Sequence, residues 1–153
     1  MSFMAYFVDA RAASIQIVTI RHSSAEAEIR GLIGSPAARR LPIKDHHLVF
    51  HDGKGLMRGM QSVSEIEGMK HLLGGNFVIT GLEMTGRLTS PLLPVAELAR
   101  RIRIVRPILD PVVPSGDSVA AQITFRIRIV RQRPKFGGYR RVTDVRNLSV
   151  QQS

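Results

Sequence analysis

The sequence predicts an α+β fold: a mainly antiparallel sheet, two or three short helices and a C-terminal basic β-hairpin. Three observations lead there. Strict alternation of apolar and polar residues recurs, as in SIQIVTIR and TFRIRIVR. Two short stretches show helical spacing framed by Ser or Pro at the start. Clusters of Gly, Pro, Asp and Ser punctuate the chain at short intervals. With 153 residues and 44 % hydrophobic content, the chain is long enough to bury a core of its own. The division expected is an α+β core over residues 1–110. Residues 111–153 then form a proline-rich crossing and an arginine-rich hairpin packed on the same domain.

Taken in order, MAYFVDA and SIQIVTIR read as two strands joined by a short turn at Asp9-Ala10-Arg11. In the second, Ile15, Ile17 and Thr19 share one face, and Gln16, Val18 and Ile20 the other. A helix follows, with Ser23 or Ser24 as cap, Glu26 and Glu28 at its positive end, and Gly34 and Pro36 as its stop. Ala25, Ile29, Leu32 and Ile33 form its apolar stripe. AARRLPIK is a basic link, and DHHLVFHDGKGLMRGM a hairpin turning at Asp52-Gly53. SVSEIEGMKHLLGG is expected as a short helix, NFVITGLEM as a strand, and TSPLLPVAELARRI as a helix opened by Pro94. PILDPVVPSGDS, rich in proline, reads as an extended linker. The stretch after it reads as strand, turn, strand.

The hexapeptide RIRIVR occurs twice, at Arg101–Arg106 and Arg126–Arg131. The flanks of the copies share nothing, which argues against a duplicated element. The second copy lies in an alternating stretch with Ile123, Phe125, Ile127 and Ile129 on one face and Thr124, Arg126 and Arg128 on the other. That pattern predicts a half-buried strand with a guanidinium face. The first copy follows apolar residues at helical spacing, so its Arg101–Ile104 is expected to finish a helix.

Charge is the strongest compositional signal. The net is +10, and it is unevenly placed: residues 1–90 carry a net of +2, residues 91–153 a net of +8. Arginine supplies most of the second half, and its planar fork suits phosphate and carboxylate. An anionic partner is implied, either nucleic acid of low specificity or an acidic protein. The segment RQRPKFGGYRR concentrates this chemistry. The candidate nucleic-acid-binding residues are Arg126, Arg128, Arg131, Arg133, Lys135, Phe136, Tyr139, Arg140 and Arg141. The cations would contact phosphates while Phe136 and Tyr139 stack on bases. The bland alternative is that both rings fold back onto the sheet.

Other chemistries fare poorly. The chain contains no cysteine, which removes disulfides, thiolate metal sites and cysteine nucleophiles. His46, His47, His51, Asp45 and Asp52 form the one metal-like cluster. Histidines four apart in a strand lie ~13 Å from each other, too far to share an ion. No phosphate loop or nucleophile elbow is present. The expectation is therefore no catalytic residue, no metal and no cofactor, in a cytoplasmic protein without a membrane span and with possible homo-oligomers.

One resemblance adds a setting. YFVDA, the alternating strand, the helix ending in LIG, LVFHDGKGLMRGM and GGNFVITG follow one another, with Gly86 beyond. Over about residues 5–86 this order resembles a small domain of unknown function common in phage, plasmid and integrated-element proteins. Phe50, Asp52, Gly53, Lys54, Leu56, Gly59, Val78 and Gly81 carry the match, while the spacing after LIG is longer here. The resemblance implies a mobile-element setting and no mechanism. The function expected is thus a non-enzymatic binding protein of a bacterial mobile element or phage that contacts nucleic acid. The alternative is a protein-interaction module, an inhibitor of a host protein or a virion component, self-associating through β-strands.

Overall fold

A computed structural model describes residues 1–57, 62–112 and 124–141. Eleven strands and two α-helices follow in order: β1 Ser2–Asp9, β2 Ser14–Arg21, α1 Ala25–Ile33, β3 Ala38–Ile43, β4 His47–Asp52, β5 Val63–Ile66, β6 Leu73–Gly74, β7 Phe77–Leu82, β8 Leu88–Thr89, α2 Val95–Arg101, β9 Ile102–Val112, β10 Thr124–Gln132 and β11 Lys135–Arg141. The fold is dominated by sheet. The first sheet runs β11-β2-β1-β7-β4-β3 with β8 beside β7, and the second runs β10-β9-β5-β6. Among the described strands every pairing is antiparallel except that of β11 with β2.

The large sheet is covered on both sides. Phe3, Phe7, Val18, Ile20, Phe50 and Val78 on one face meet Ile29 and Leu32 of α1. Tyr6, Val8, Ile15, Ile17, Phe77 and Ile79 on the other meet Ile66, Leu73, Leu98, Ile102 and Ile104 of the second sheet and α2. Burial on both faces explains why AYFV and FVI are unbroken runs of apolar and aromatic residues.

Local chemistry sets the connections. The Asp9 carboxylate accepts the N–H groups of Arg11 and Ala12, 3.1 Å each, and shapes the β1–β2 turn. Helix α1 ends at Gly34, whose φ of +78° is left-handed and whose N–H donates to the Arg30 carbonyl. Buried Glu28 accepts the Arg21 N–H at 2.8 Å and the Arg21 Nε at 3.2 Å, tying α1 to β2. Pro94 opens α2 by accepting from Glu97 and Leu98. Gly81 lies against the chain after β8: a Cβ there would stand 2.4 Å from the Ser90 carbonyl oxygen.

Several expectations are corrected. SVSEIEGMKHLLGG is not a helix; Val63–Ile66 is β5, because its backbone finds a partner in Val105–Ile102 of β9. AARRLPIK is no link, since Ala38–Ile43 pairs with β4. Strand β4 pairs instead with β3, through a turn at Asp45 and His46 with φ of 64° and 59°; the chain also turns after Asp52, and the second arm expected there lies partly outside the described residues. PILDPVVPSGDS is not a linker in its first part, for β9 runs unbroken from Ile102 to Val112. Proline is tolerated at 107 and 111 because β5 pairs only as far as Val105, so beyond it one edge of β9 has no described strand to donate to. The first RIRIVR copy is helical only at Arg101 and enters β9 at once.

Among the described residues, β10 and β11 do not form the expected C-terminal basic β-hairpin, since they lie in different sheets. Residues 131–141 do not turn back on themselves. Pro134 is buried, and the chain crosses there from the second sheet into the first. Gly137 and Gly138 form an irregularity within β11, between the Phe136 and Tyr139 pairings with β2, instead of a turn.

Candidate interaction surface

Strands β9 and β10 form a two-stranded ribbon. Their register runs from Thr124 opposite Val112 to Gln132 opposite Ile104, without a bulge. Beside β5, Ile102 and Ile104 sink into the core. Past Val105 the ribbon has no other described strand against it. Its base is held by Arg106, which donates to the Arg11 carbonyl at 3.1 Å, and by the Lys135 N–H, which donates to the Ala13 carbonyl at 2.9 Å.

Opposed residues in an antiparallel pair share a face. One face of the ribbon therefore holds Phe125, Ile127 and Ile129 with Pro111, Leu109 and Pro107 opposite them. The other holds Arg126 and Arg128 with Asp110 and Ile108. The expected half-buried strand is corrected here. The alternation is present, but nothing among the described residues covers its apolar face: Phe125 is 58 %, Ile127 68 % and Ile129 56 % exposed. Ile123 lies outside the described residues. Side chains of this size, contiguous with exposed Leu109, make an apolar patch on the order of a few hundred Å², a size that marks contact surfaces.

The nine predicted site residues are divided between two sheets. Arg126, Arg128 and Arg131 lie on β10, Arg133 follows it, and Lys135, Phe136, Tyr139, Arg140 and Arg141 lie on β11. Arg128 is engaged, its Nε 2.9 Å from Oδ2 of Asp110. Arg140 donates to the Gln16 side chain at 3.4 Å. Among the described residues, Arg126, Arg131 and Arg133 meet no carboxylate within ion-pair distance. Arg133 lines a cleft of about 410 Å³ with Arg100, Arg101, Arg103, Glu65 and Glu67. There Arg101 reaches Asp45 and Glu97, and Arg100 reaches Glu97. Phe136 and Tyr139 stay exposed and pack edge to face with centroids 6.1 Å apart. Tyr139 stands near Tyr6, whose hydroxyl donates to the Leu93 carbonyl at 2.7 Å. Burial raises the Tyr6 pKa, and Tyr139 adds to the rise.

The two RIRIVR copies touch only at their ends. Val130 and Arg131 pair with Arg106 and Val105, while Arg126 and Arg128 face Asp110 and Ile108. The copies are neighbours in a ribbon, and the register places Arg106 on the same face as Arg126 and Arg128, with Arg103 and Arg131 on the other.

The described hydrogen bonds of His47 and His51 are to backbone groups. Buried His47 accepts the Leu92 and Leu93 N–H groups at Nε2, 3.1 and 3.3 Å, which leaves Nδ1 to donate to the Lys44 carbonyl at 3.2 Å. The His51 pKa is lowered, chiefly by burial. Among the described residues no three His, Asp or Glu side chains gather as metal ligands. No described helix is long and apolar enough to cross a membrane.

Sequence reasoning missed the apolar stripe of β10 as a surface, having assigned it to the core. The signal was in the opposing strand: prolines at 107 and 111 bar that stretch of β9 from full pairing on both sides, so beyond Val105 the ribbon was to be expected open along one side.

Comparison with protein families finds no match, and no solved structure matches. Among curated proteins, the uncharacterized protein y4iR of Sinorhizobium fredii is 26 % identical over 117 residues, covering 76 % of this chain and 73 % of that protein. Protein PsiB of Rhizobium leguminosarum bv. phaseoli is 31 % identical over 116 residues, covering 71 % of this chain. Since that similarity spans 87 % of the relative, the chain belongs to the family of Protein PsiB.

Proposed function

We propose that this chain is a non-enzymatic protein-interaction module of the bacterial cytoplasm, encoded on a mobile element, and that it docks on a protein partner through the β9–β10 ribbon. The observation that carries the reading is the row Phe125, Ile127 and Ile129, large and apolar, held on a regular strand and left in solvent. Water around such a row costs free energy, and a partner surface removes it. Basic residues at the rim add steering toward an acidic partner. The mobile-element setting rests on the resemblance over residues 5–86.

The test is site-specific photocrosslinking in cells of the native host. A photoreactive residue replaces Phe125 or Ile129, and in a control replaces Arg30 on α1. A discrete protein adduct from the ribbon positions and none from the control supports the reading. Absence of any adduct at the ribbon sinks it.

A second reading, binding of nucleic acid phosphates, is favoured by Arg126, Arg131 and Arg133, which meet no carboxylate among the described residues. It predicts duplex or single-stranded DNA binding that weakens steeply with salt. It also predicts loss of that binding when Arg131 and Arg133 become Ala. Binding too weak to respond to either change removes it.

A further inference from the structure

The ribbon offers an edge as well as a face. Strand β10 is terminal in its sheet, so one side of Thr124–Gln132 presents backbone N–H and C=O groups to no described strand. Natural edges carry devices against stray pairing: proline, bulges, or charge. Of the other described outer strands, β3 contains Pro42, an irregularity at Gly137-Gly138 breaks β11, and β6 and β8 are only two residues long. Strand β10 has none of these. It keeps nine regular residues and only charge, all of one sign: Arg126, Arg128 and Arg131.

That charge discriminates between occupants. In an antiparallel pair, opposed side chains share a face. If two copies of β10 met with their apolar rows aligned, Ile127 would face Ile127 and Phe125 would face Ile129. Arg126 would then stand directly opposite Arg128. Like charges directly opposed are destabilising, and the whole chain already carries a net of +10. Within the ribbon strands, Asp110 is the one carboxylate beside Arg103, Arg106, Arg126, Arg128 and Arg131. The edge thus repels its own kind and suits an acidic strand.

We propose that the free edge of β10 accepts an extended acidic segment of a partner protein as an added strand. Apolar side chains at every second position of that segment lie beside Phe125, Ile127 and Ile129, and carboxylates between them meet Arg126 and Arg128. The proposal rests on the reading of the ribbon as the docking element and names the chemistry of what docks.

The test uses the full chain and three labelled nine-residue peptides: valine alternating with glutamate, valine alternating with lysine, and glutamate alone. Binding is followed by fluorescence anisotropy over a salt series, and amide hydrogen exchange is followed in the same complexes. The expected result is that the valine–glutamate peptide binds about tenfold or more tighter than either control. It also slows exchange at alternate amides of Thr124–Gln132. The variants Ile127→Asp and Arg126→Glu each abolish that preference; both positions are exposed, and unchanged melting temperatures confirm that they fold. Equal binding of valine–glutamate and glutamate peptides, or binding without exchange protection, overturns the added strand. So does a dimer in sedimentation that Ile127→Asp abolishes, because a second copy then occupies the edge. Failure of all three peptides while position 125 still crosslinks a protein overturns this inference alone. Failure of both experiments overturns the docking reading too.

Discussion

Strands β2 and β10 are written in the same pattern and meet opposite fates. SIQIVTIR and TFRIRIVR both alternate β-branched with polar residues. In β2, Ile15, Ile17, Val18 and Ile20 are all buried, because α1 covers one face and the second sheet and α2 cover the other. In β10 the equivalent Phe125, Ile127 and Ile129 stand in solvent. Alternation specifies a strand and sorts its side chains into two faces. What covers each face depends on neighbours contributed from far along the chain, and a local pattern holds no record of them.

The sharpest way to break this contrast is to shorten one isoleucine in each strand. Ile15→Ala removes methyl groups from a closed core and is expected to cost about 2–5 kcal/mol in urea unfolding. Ile127→Ala removes the same atoms from an exposed face and is expected to stay within about 0.5 kcal/mol. A comparable loss from both would show that the β10 face is covered in the folded protein.

A smaller effect separates the two ion pairs. Glu28 is buried and accepts both the backbone and side-chain N–H of Arg21, so Glu28→Gln is expected to cost about 1–3 kcal/mol. Arg128 and Asp110 are both largely exposed, so solvent screens them and Arg128→Gln is expected to cost less than about 1 kcal/mol. Thermal melts of both variants beside the parent check the order.

The smallest effect concerns pH. Burial lowers the His51 pKa below its ordinary 6.5, so the unfolded chain takes up its proton first as pH falls. Stability from this group is complete above about pH 6.5 and declines as the pH drops from there through the lowered folded value. The melting temperature is expected to fall modestly between neutral and mildly acidic pH. His51→Gln is expected to flatten that slope, and an unchanged slope would assign the acid sensitivity to another group.

Much of the body was legible in the residues. Strands β1, β2, β4 and β7, helix α1 with its glycine stop and helix α2 with Pro94 follow from local signals. The misreadings share a cause. Ser62, Ser64 and Gly74-Gly75 resemble helix punctuation, yet Val63–Ile66 became β5 because β9 supplied a partner. Pro107 and Pro111 resemble a linker, yet proline is admissible in a strand with a free edge. The basic segment 131–141 was found, but its geometry was not: Gly137-Gly138 looked like a turn, while the parallel pairing of β11 with β2 drew the chain across. Arg126, Arg131 and Arg133 were identified from charge alone. The apolar half of the same surface was hidden by the assumption that alternating isoleucines face a core.

The parallel seam between β11 and β2 bears on how the molecule is made. β2 leaves the ribosome roughly 120 residues ahead of the strand that completes its outer side. Until that late segment is translated, the early hairpin carries a raw flank in a crowded cell. Its closure is a long-range event, and long-range pairings are intrinsically slow and leave edges open to aggregation in the meantime. A premature stop before Lys135 would therefore do more than delete a tail: it would release a chain with β2 unsealed, prone to pair with its neighbours.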